Sequence, residues 1–144
     1  MPNVLIINGP NLNLLGTREP AIYGSTTLTE LDDLCVGWGD ELGLTVRTFQ
    51  SNHEGAIIDR IQAAADNDGI VINAGALTHY SYAIYDALVA VKIPTVEVHI
   101  SDIHNREEWR GNSVIQPACL LQISGEGLEG YRRALQVLAE GTGS

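Results

Sequence analysis

The sequence predicts an α/β fold in which a five-stranded parallel sheet lies between two layers of helices. Three observations carry that expectation. Short, almost wholly apolar runs alternate with longer segments whose apolar residues recur at helical spacing. The runs lack a polar face, as expected of strands covered on both sides. Five such runs with helices between them imply parallel pairing through right-handed crossovers.

The elements follow in order. Asn3–Asn8 is an apolar run that stops at the turn signal Asn8-Gly9-Pro10. From Leu28, the residues Leu31, Leu34, Cys35, Trp38 and Leu42 keep helical spacing, with a capping-box pattern at Thr27–Glu30 and a natural stop at Gly43. Gly37 and Gly39 each weaken that helix by up to ~1 kcal/mol, so close packing is expected to compensate. Leu44–Phe49 alternates as a strand, and 54–65 reads as a helix with Ile57, Ile58 and Ile61 on one face. Gly69–Asn73 is the third strand, and 81–91 a helix with the stripe Ile84, Leu88 and Val91. Strands at 94–100 and 119–123 and a helix at 128–138 complete the series. Together they predict a flavodoxin-like three-layer sandwich, a single domain over 1–144. Ligands of such sheets bind at the carboxyl ends of the strands, here 8–24, 50–55, 73–80 and 99–113.

A chain of 144 residues buries about two thirds of its unfolded surface and is one domain. With 44% apolar and 18% charged residues, it is neither a disordered chain nor a membrane protein. The N-terminus lacks the basic start and long apolar run of a signal peptide, so a cytoplasmic location is expected. Cys35 and Cys119 sit among apolar residues and read as small buried hydrophobes. A net charge of −10 argues against nucleic acid. With seven arginines and one lysine, Lys92, an anionic substrate would need the arginines gathered locally.

Two patterns are decoys. Gly125–Gly130 matches a glycine-rich nucleotide loop, but no strand with an acidic residue follows it, and Glu126 and Glu129 would repel a pyrophosphate. His99 and His104 have no further ligand pair at metal spacing, so no metal is expected.

The loop 8–24 is long and holds Arg18 and Tyr23, and a cation near a phenol favours the phenolate that a tyrosine base needs. Glu97 and His99 are two apart on one strand face, where one can orient the other, and His99 suits a general acid. Arg106 and Arg110 would share a face if their segment were helical. Each residue also has a plainer reading, as packed ring, core histidine or solvated charge. In combination, three arginines with the polar segment 73–79 suit a small polyhydroxy carboxylate.

Six stretches occur in order: Asn-Gly-Pro-Asn-Leu-Asn at 8–13, Arg-Glu-Pro-x-x-Tyr-Gly at 18–24, Gln-Ser-Asn-His-Glu-Gly at 50–55, Asn-Ala-Gly-Ala-Leu-Thr-His at 73–79, Val-Glu-Val-His-Ile-Ser at 96–101 and Arg-Glu-Glu-x-Arg at 106–110. Over nearly the whole chain this resembles the type II 3-dehydroquinate dehydratases. The resemblance implies anti elimination of water from 3-dehydroquinate through an enolate, in the shikimate pathway of aromatic amino acid biosynthesis; quinate breakdown is the other setting the same motifs serve. It implies Tyr23 as base, Arg18 lowering its pKa, His99 as acid oriented by Glu97, and Asn11 holding a water against the enolate. It further implies substrate contacts from Asn73, His79, Ile100, Ser101 and Arg110, Arg106 in the lid or near the base, and Asp86 reaching a neighbouring subunit's site in a trimer-based dodecamer. No cofactor or metal is implied, and Lys92 is placed away from the site, unlike the imine-forming lysine of type I enzymes. The segment 111–117 departs from the family pattern, which often has a histidine near 112 and a serine near 116; this bears on lid and subunit contacts. The alternative is a non-catalytic flavodoxin-like module that binds a small molecule.

Overall fold

The computed structural model describes residues 1–17 and 19–142. Five strands, β1 (Asn3–Asn8), β2 (Thr45–Gln50), β3 (Gly69–Asn73), β4 (Thr95–His99) and β5 (Leu121–Ser124), form one sheet in the order β2-β1-β3-β4-β5. All pairings are parallel. The main helices are α2 (Leu28–Glu41), α3 (Glu54–Gln62), α4 (Tyr82–Val91) and α5 (Glu129–Thr142), and a single turn, α1 (Pro20–Tyr23), precedes them.

Alternation along the strands divides the core. Val4 and Ile6 of β1 pack with Val71, Val96 and Val98 against Leu31, Cys35, Tyr131 and Leu135 of α2 and α5. Leu5 and Ile7 pack with Ile70 and Ile72 against Ile57, Ile61, Ile84 and Leu88 of α3 and α4. Each central strand thus buries both faces, which is why its sequence shows no polar alternation. β1 is flanked by β2 on one side and β3 on the other, so the crossovers diverge there and open a crevice beyond the strand ends.

Several boundaries differ from the sequence expectation for local reasons. Ser81 is the N-cap of α4 rather than its first residue, its hydroxyl accepting from the Ile84 amide. α3 ends at Gln62, where the backbone passes into turns through Asp66. β5 begins at Leu121 rather than Cys119, because the Cys119 amide closes a 3-10 turn over Gln116–Ala118 that opens around Pro117. The segment 103–111 is not an α-helix. It forms two 3-10 turns, Ile103–Asn105 and Glu108–Gly111, with Arg106 extended between them.

The capping box at Thr27 is formed in full, Thr27 and Glu30 each bonding the other's backbone amide. The two glycines of α2 part company. A Cβ on Gly39 would stand 2.4 Å from Val46 Cγ2, so here helix and β2 touch through a missing side chain. A Cβ on Gly37 would meet no atom within 4 Å. Gly39→Ala is therefore expected to destabilise the fold by about 1–3 kcal/mol. Gly37→Ala should stabilise it by roughly 0.5–1 kcal/mol. Urea unfolding of the two variants beside the parent checks the opposite signs.

Candidate active site

The carboxyl ends of β1 and β3 are tied together before any substrate group is considered. The Gly9 amide donates to the Asn73 carbonyl at 2.8 Å, and a Cβ at Gly9 would stand 2.5 Å from the Ala74 carbonyl oxygen. Only glycine permits that approach. Beneath it, the fully buried phenol of Tyr131 on α5 donates to Asn8 Oδ1 at 2.6 Å and accepts from Asn73 Nδ2 at 3.0 Å. Burial holds the Tyr131 phenol far above the ordinary tyrosine range, so it stays a neutral donor. Asn73 Oδ1 accepts from the Gly75 amide at 3.2 Å, which leads the chain into the 3-10 turn Gly75–His79.

Above this base lies a cleft lined by Leu12, Tyr23, Asn73, Gly75, Ala76, His79, His99, Ile100, Ser101, Ile103, Arg106 and Arg110. Tyr23 is brought there by α1, which starts on Pro20 and ends at Gly24 with φ 78°. Its ring is only 9% exposed, so the long loop buries its tyrosine rather than leaving it in solvent. Arg106 donates to Tyr23 Oη at 2.6 Å and to Ser101 Oγ at 3.2 Å. A guanidinium can only donate, so the phenol oxygen is the acceptor of a charge-assisted hydrogen bond.

Glu97 is 0% exposed inside β4, and its carboxylate gathers three side-chain partners. Its Oε2 lies 2.5 Å from His99 Nε2, Ser113 Oγ reaches it at 2.9 Å, and Gln122 Nε2 donates at 3.0 Å. A buried carboxylate needs such partners. The bond to Nε2 sets the plane of the His99 ring and leaves Nδ1 for the cleft.

His79 stacks on His99 with ring centroids 6.4 Å apart and meets the Trp109 edge at 5.2 Å. Its Nδ1 lies 2.7 Å from the Asn112 carbonyl, which can only accept, so Nδ1 carries the hydrogen. Burial holds the His79 ring below the ordinary histidine range, although the Asn112 carbonyl pulls the other way. Arg110 lies over the Trp109 ring and donates to Glu107 at 2.7 Å; that bond holds the Glu107 carboxyl below its usual range.

A family model for dehydroquinase class II matches residues 2–139. The chain belongs to that family. A 3-dehydroquinate dehydratase of Caldicellulosiruptor saccharolyticus is 59% identical over 142 residues, 97% of this chain and 98% of that protein. A catabolic 3-dehydroquinase 1 of Neosartorya fischeri is 57% identical over 138 residues, 95% and 92% of the two chains. The crystal structure of a type II dehydroquinase from Butyrivibrio crossotus superposes with a TM-score of 0.93 at 51% identity, covering 95% of this chain and 97% of that one.

For this dehydroquinase chain the cleft brings together Tyr23, Asn73, His79, His99, Ile100, Ser101, Arg106 and Arg110, with Glu97 directly behind. Arg106 and Arg110 line it without sharing a helical face. Asn11 stands outside the lining at positive φ, its amide donating to Asn52 Oδ1 at 3.0 Å. Asp86 is exposed on α4, also away from this chain's cleft. Arg18 lies outside the described residues. Lys92 caps α4 beside Pro94 and Thr95, at the opposite end of the sheet. His99 and His104 turn to different partners, and among the described residues no three metal-ligating side chains gather.

Cys35 is buried and Cys119 half-buried, and burial pushes both thiols up to about 12, so neither is a nucleophile at neutral pH. The sequence reading missed Ser113 and Gln122, which hold Glu97, and Tyr131, which holds Asn73. It also underrated the divergent segment 111–117, which contacts the site through Ser113 and the Asn112 carbonyl. No motif marks these residues; only their partners do.

The His79 titration has a defined sign. The unfolded chain takes up that proton near pH ~6.5 and the folded chain at a lower pH. Within that window the unfolded state binds more protons, so stability is lost as pH falls through it. The fall in Tm between about pH 7 and pH 5 should be smaller in His79→Gln than in the parent at equal protein concentration.

Proposed function

We infer that this chain removes water from 3-dehydroquinate to give 3-dehydroshikimate, as a hydro-lyase of the shikimate pathway. The observation that carries the reading is one cleft lined both by a tyrosine whose oxygen accepts from a guanidinium and by a histidine held by a buried carboxylate. One group is set to take a proton and the other to give one. Membership of the family and relatives bearing the dehydratase name support it.

In this reading Tyr23, as phenolate, takes the C2 proton of the substrate. The electron pair moves into the adjacent ketone to form an enolate. Collapse of the enolate expels the C1 hydroxyl as His99 protonates it, so one water leaves and the enone remains. The ketone itself acidifies C2, so no metal or cofactor enters the reaction. Arg106 stabilises the phenolate, with Arg18 assigned to the same task from the family resemblance. Asn11 holds a water that supports the enolate oxygen. Asn73, His79, Ile100, Ser101 and Arg110 bind the substrate, and Glu97 orients His99. The two cleft arginines give a chain of net charge −10 a local positive field for the substrate carboxylate. A non-catalytic binding module would need neither the Arg106–Tyr23 bond nor a buried carboxylate behind His99. The expected compartment is the cytoplasm; among the described residues no helix is long and apolar enough to cross a membrane.

We assign the working assembly to a trimer-based dodecamer in which Asp86 completes a neighbouring subunit's site. Asp86 is exposed on α4, near Tyr80 and Tyr82, which are 63% and 68% exposed in the single chain. Tyrosine is enriched at interfaces.

Tyr23→Phe keeps the ring and removes the base, and a fall in kcat of at least ~10²-fold is expected from the enone absorbance of the product. Near-parental turnover would remove Tyr23 from the mechanism. Asp86→Ala should lose activity with an unchanged Tm. Light scattering coupled to gel filtration should give a multiple of the 15.5 kDa chain, whereas a fully active monomer would show each site complete in one chain.

A further inference from the structure

Behind the cleft, a chain of hydrogen bonds runs on to the surface. Gln122 sits on the edge strand β5 directly opposite Glu97 in the β4–β5 register. Its Nε2 donates to Glu97 Oε2 at 3.0 Å, and its Oε1 lies 2.9 Å from His104 Nε2. The chemistry fixes the amide orientation: a carboxylate can only accept, so the NH2 end faces Glu97. The amide oxygen is left for His104 and can only accept, so His104 carries its hydrogen on Nε2. The His104 backbone amide donates to Asp102 Oδ1 at 3.1 Å, and Gly111 leaves room beside the ring, where a Cβ would lie 3.6 Å from Nδ1. Four side chains thus connect cleft to solvent: His99, Glu97, Gln122 and the exposed His104.

We propose that Gln122, anchored from outside by His104, is a positioning residue that sets how readily the Glu97–His99 pair gives up its proton. The proposal rests on the reading of His99 as the proton donor. The Gln122 N–H stabilises negative charge on Glu97 most strongly when His99 is neutral, because a protonated His99 already offsets that charge. Removing this donor therefore makes His99 hold its proton to higher pH. His104 acts in the same sense through the amide: a donor at its Nε2 polarises Gln122 and strengthens the bond to Glu97. The other titratable or charged groups facing the pair are His79 from the Gly75–His79 turn, Tyr23 from α1, Arg106 and Arg110 from the 103–111 segment, and Cys119 after the Gln116–Ala118 turn. Asp102 faces His104. None of these bonds Gln122, so a change there isolates the link.

The test uses the full assembled protein with histidine labelled with carbon-13 at Cε1. The chain has four histidines, and the His99 resonance is assigned by its loss in His99→Asn. In Gln122→Met, close in size but without the amide, the His99 resonance should titrate about half a pH unit or more higher than in the parent. The basic limb of the kcat profile should move with it while KM changes less than about twofold. His104→Phe should shift both in the same direction by less. His104→Gln, which keeps an N–H donor, should return them to parental values. Far-UV dichroism checks that each variant is folded, and the exposed His104 pair tests the link should Gln122→Met fail to fold. An unmoved His99 resonance in Gln122→Met, or in a folded His104→Phe should that variant be lost, would overturn the proposal. A resonance that moves while the kcat limb stays fixed would uphold the link and count against His99 as the proton donor.

Discussion

The phenol of Tyr131 joins three separate parts of this molecule at one oxygen. It gives its hydrogen to Asn8 at the end of β1 and receives one from Asn73 at the end of β3, and it hangs from α5, near the far end of the chain. All three groups are buried, so loss of the phenol would leave Asn8 Oδ1 and Asn73 Nδ2 without this partner. The tie fixes where the two central strands stop. It also fixes the direction of Asn73, whose other amide atom starts the turn carrying His79. The cleft floor is thus a consequence of packing α5 on the sheet.

A second buried polar group sets the chemistry. Glu97 occupies a strand position whose neighbours Val96 and Val98 are wholly apolar and buried. Its carboxylate is tolerated there because β4, β5 and the 111–117 segment each bring it a partner. The same bonds leave His99 one orientation. Burial that is expensive for folding therefore returns a fixed imidazole at the cleft, and Arg106 plays the matching part for Tyr23 by bridging it to Ser101. His99 and Tyr23 are thus each held by a charged side chain.

In a chain with ten more acidic than basic charges, two cations meet at the cleft. Arg106 and Arg110 come from one short segment that lies across the strand ends. Glu107 pairs with Arg110 and touches Arg106 at 4.0 Å, which limits the field outside the cleft. The segment is two 3-10 turns rather than one helix: Asp102 caps the first, and Arg106, extended between them, reaches Tyr23.

Some of this was legible in the residues alone. Apolar runs without a polar face determined a parallel sheet covered on both sides, because only strands buried on both faces lack alternation. Spacing two apart on a strand placed Glu97 and His99 together, and ordered motifs marked Tyr23, Arg106 and Asn73. These are local or periodic properties. Close packing was expected at both glycines of α2; it is found at Gly39, whereas Gly37, of the same residue type in the same helix, faces open space. Ser113, Gln122, His104 and Tyr131 were not legible, because each acts through a partner between 16 and 123 positions away. Only the fold brings such pairs together: strand register sets Gln122 opposite Glu97, and helix packing sets Tyr131 beneath Asn8 and Asn73. The sequence by itself determined which chemical groups were present and on which faces of their own elements. The tertiary structure decided which groups hold the others in place, because the burial and register that pair them are properties of elements packed together.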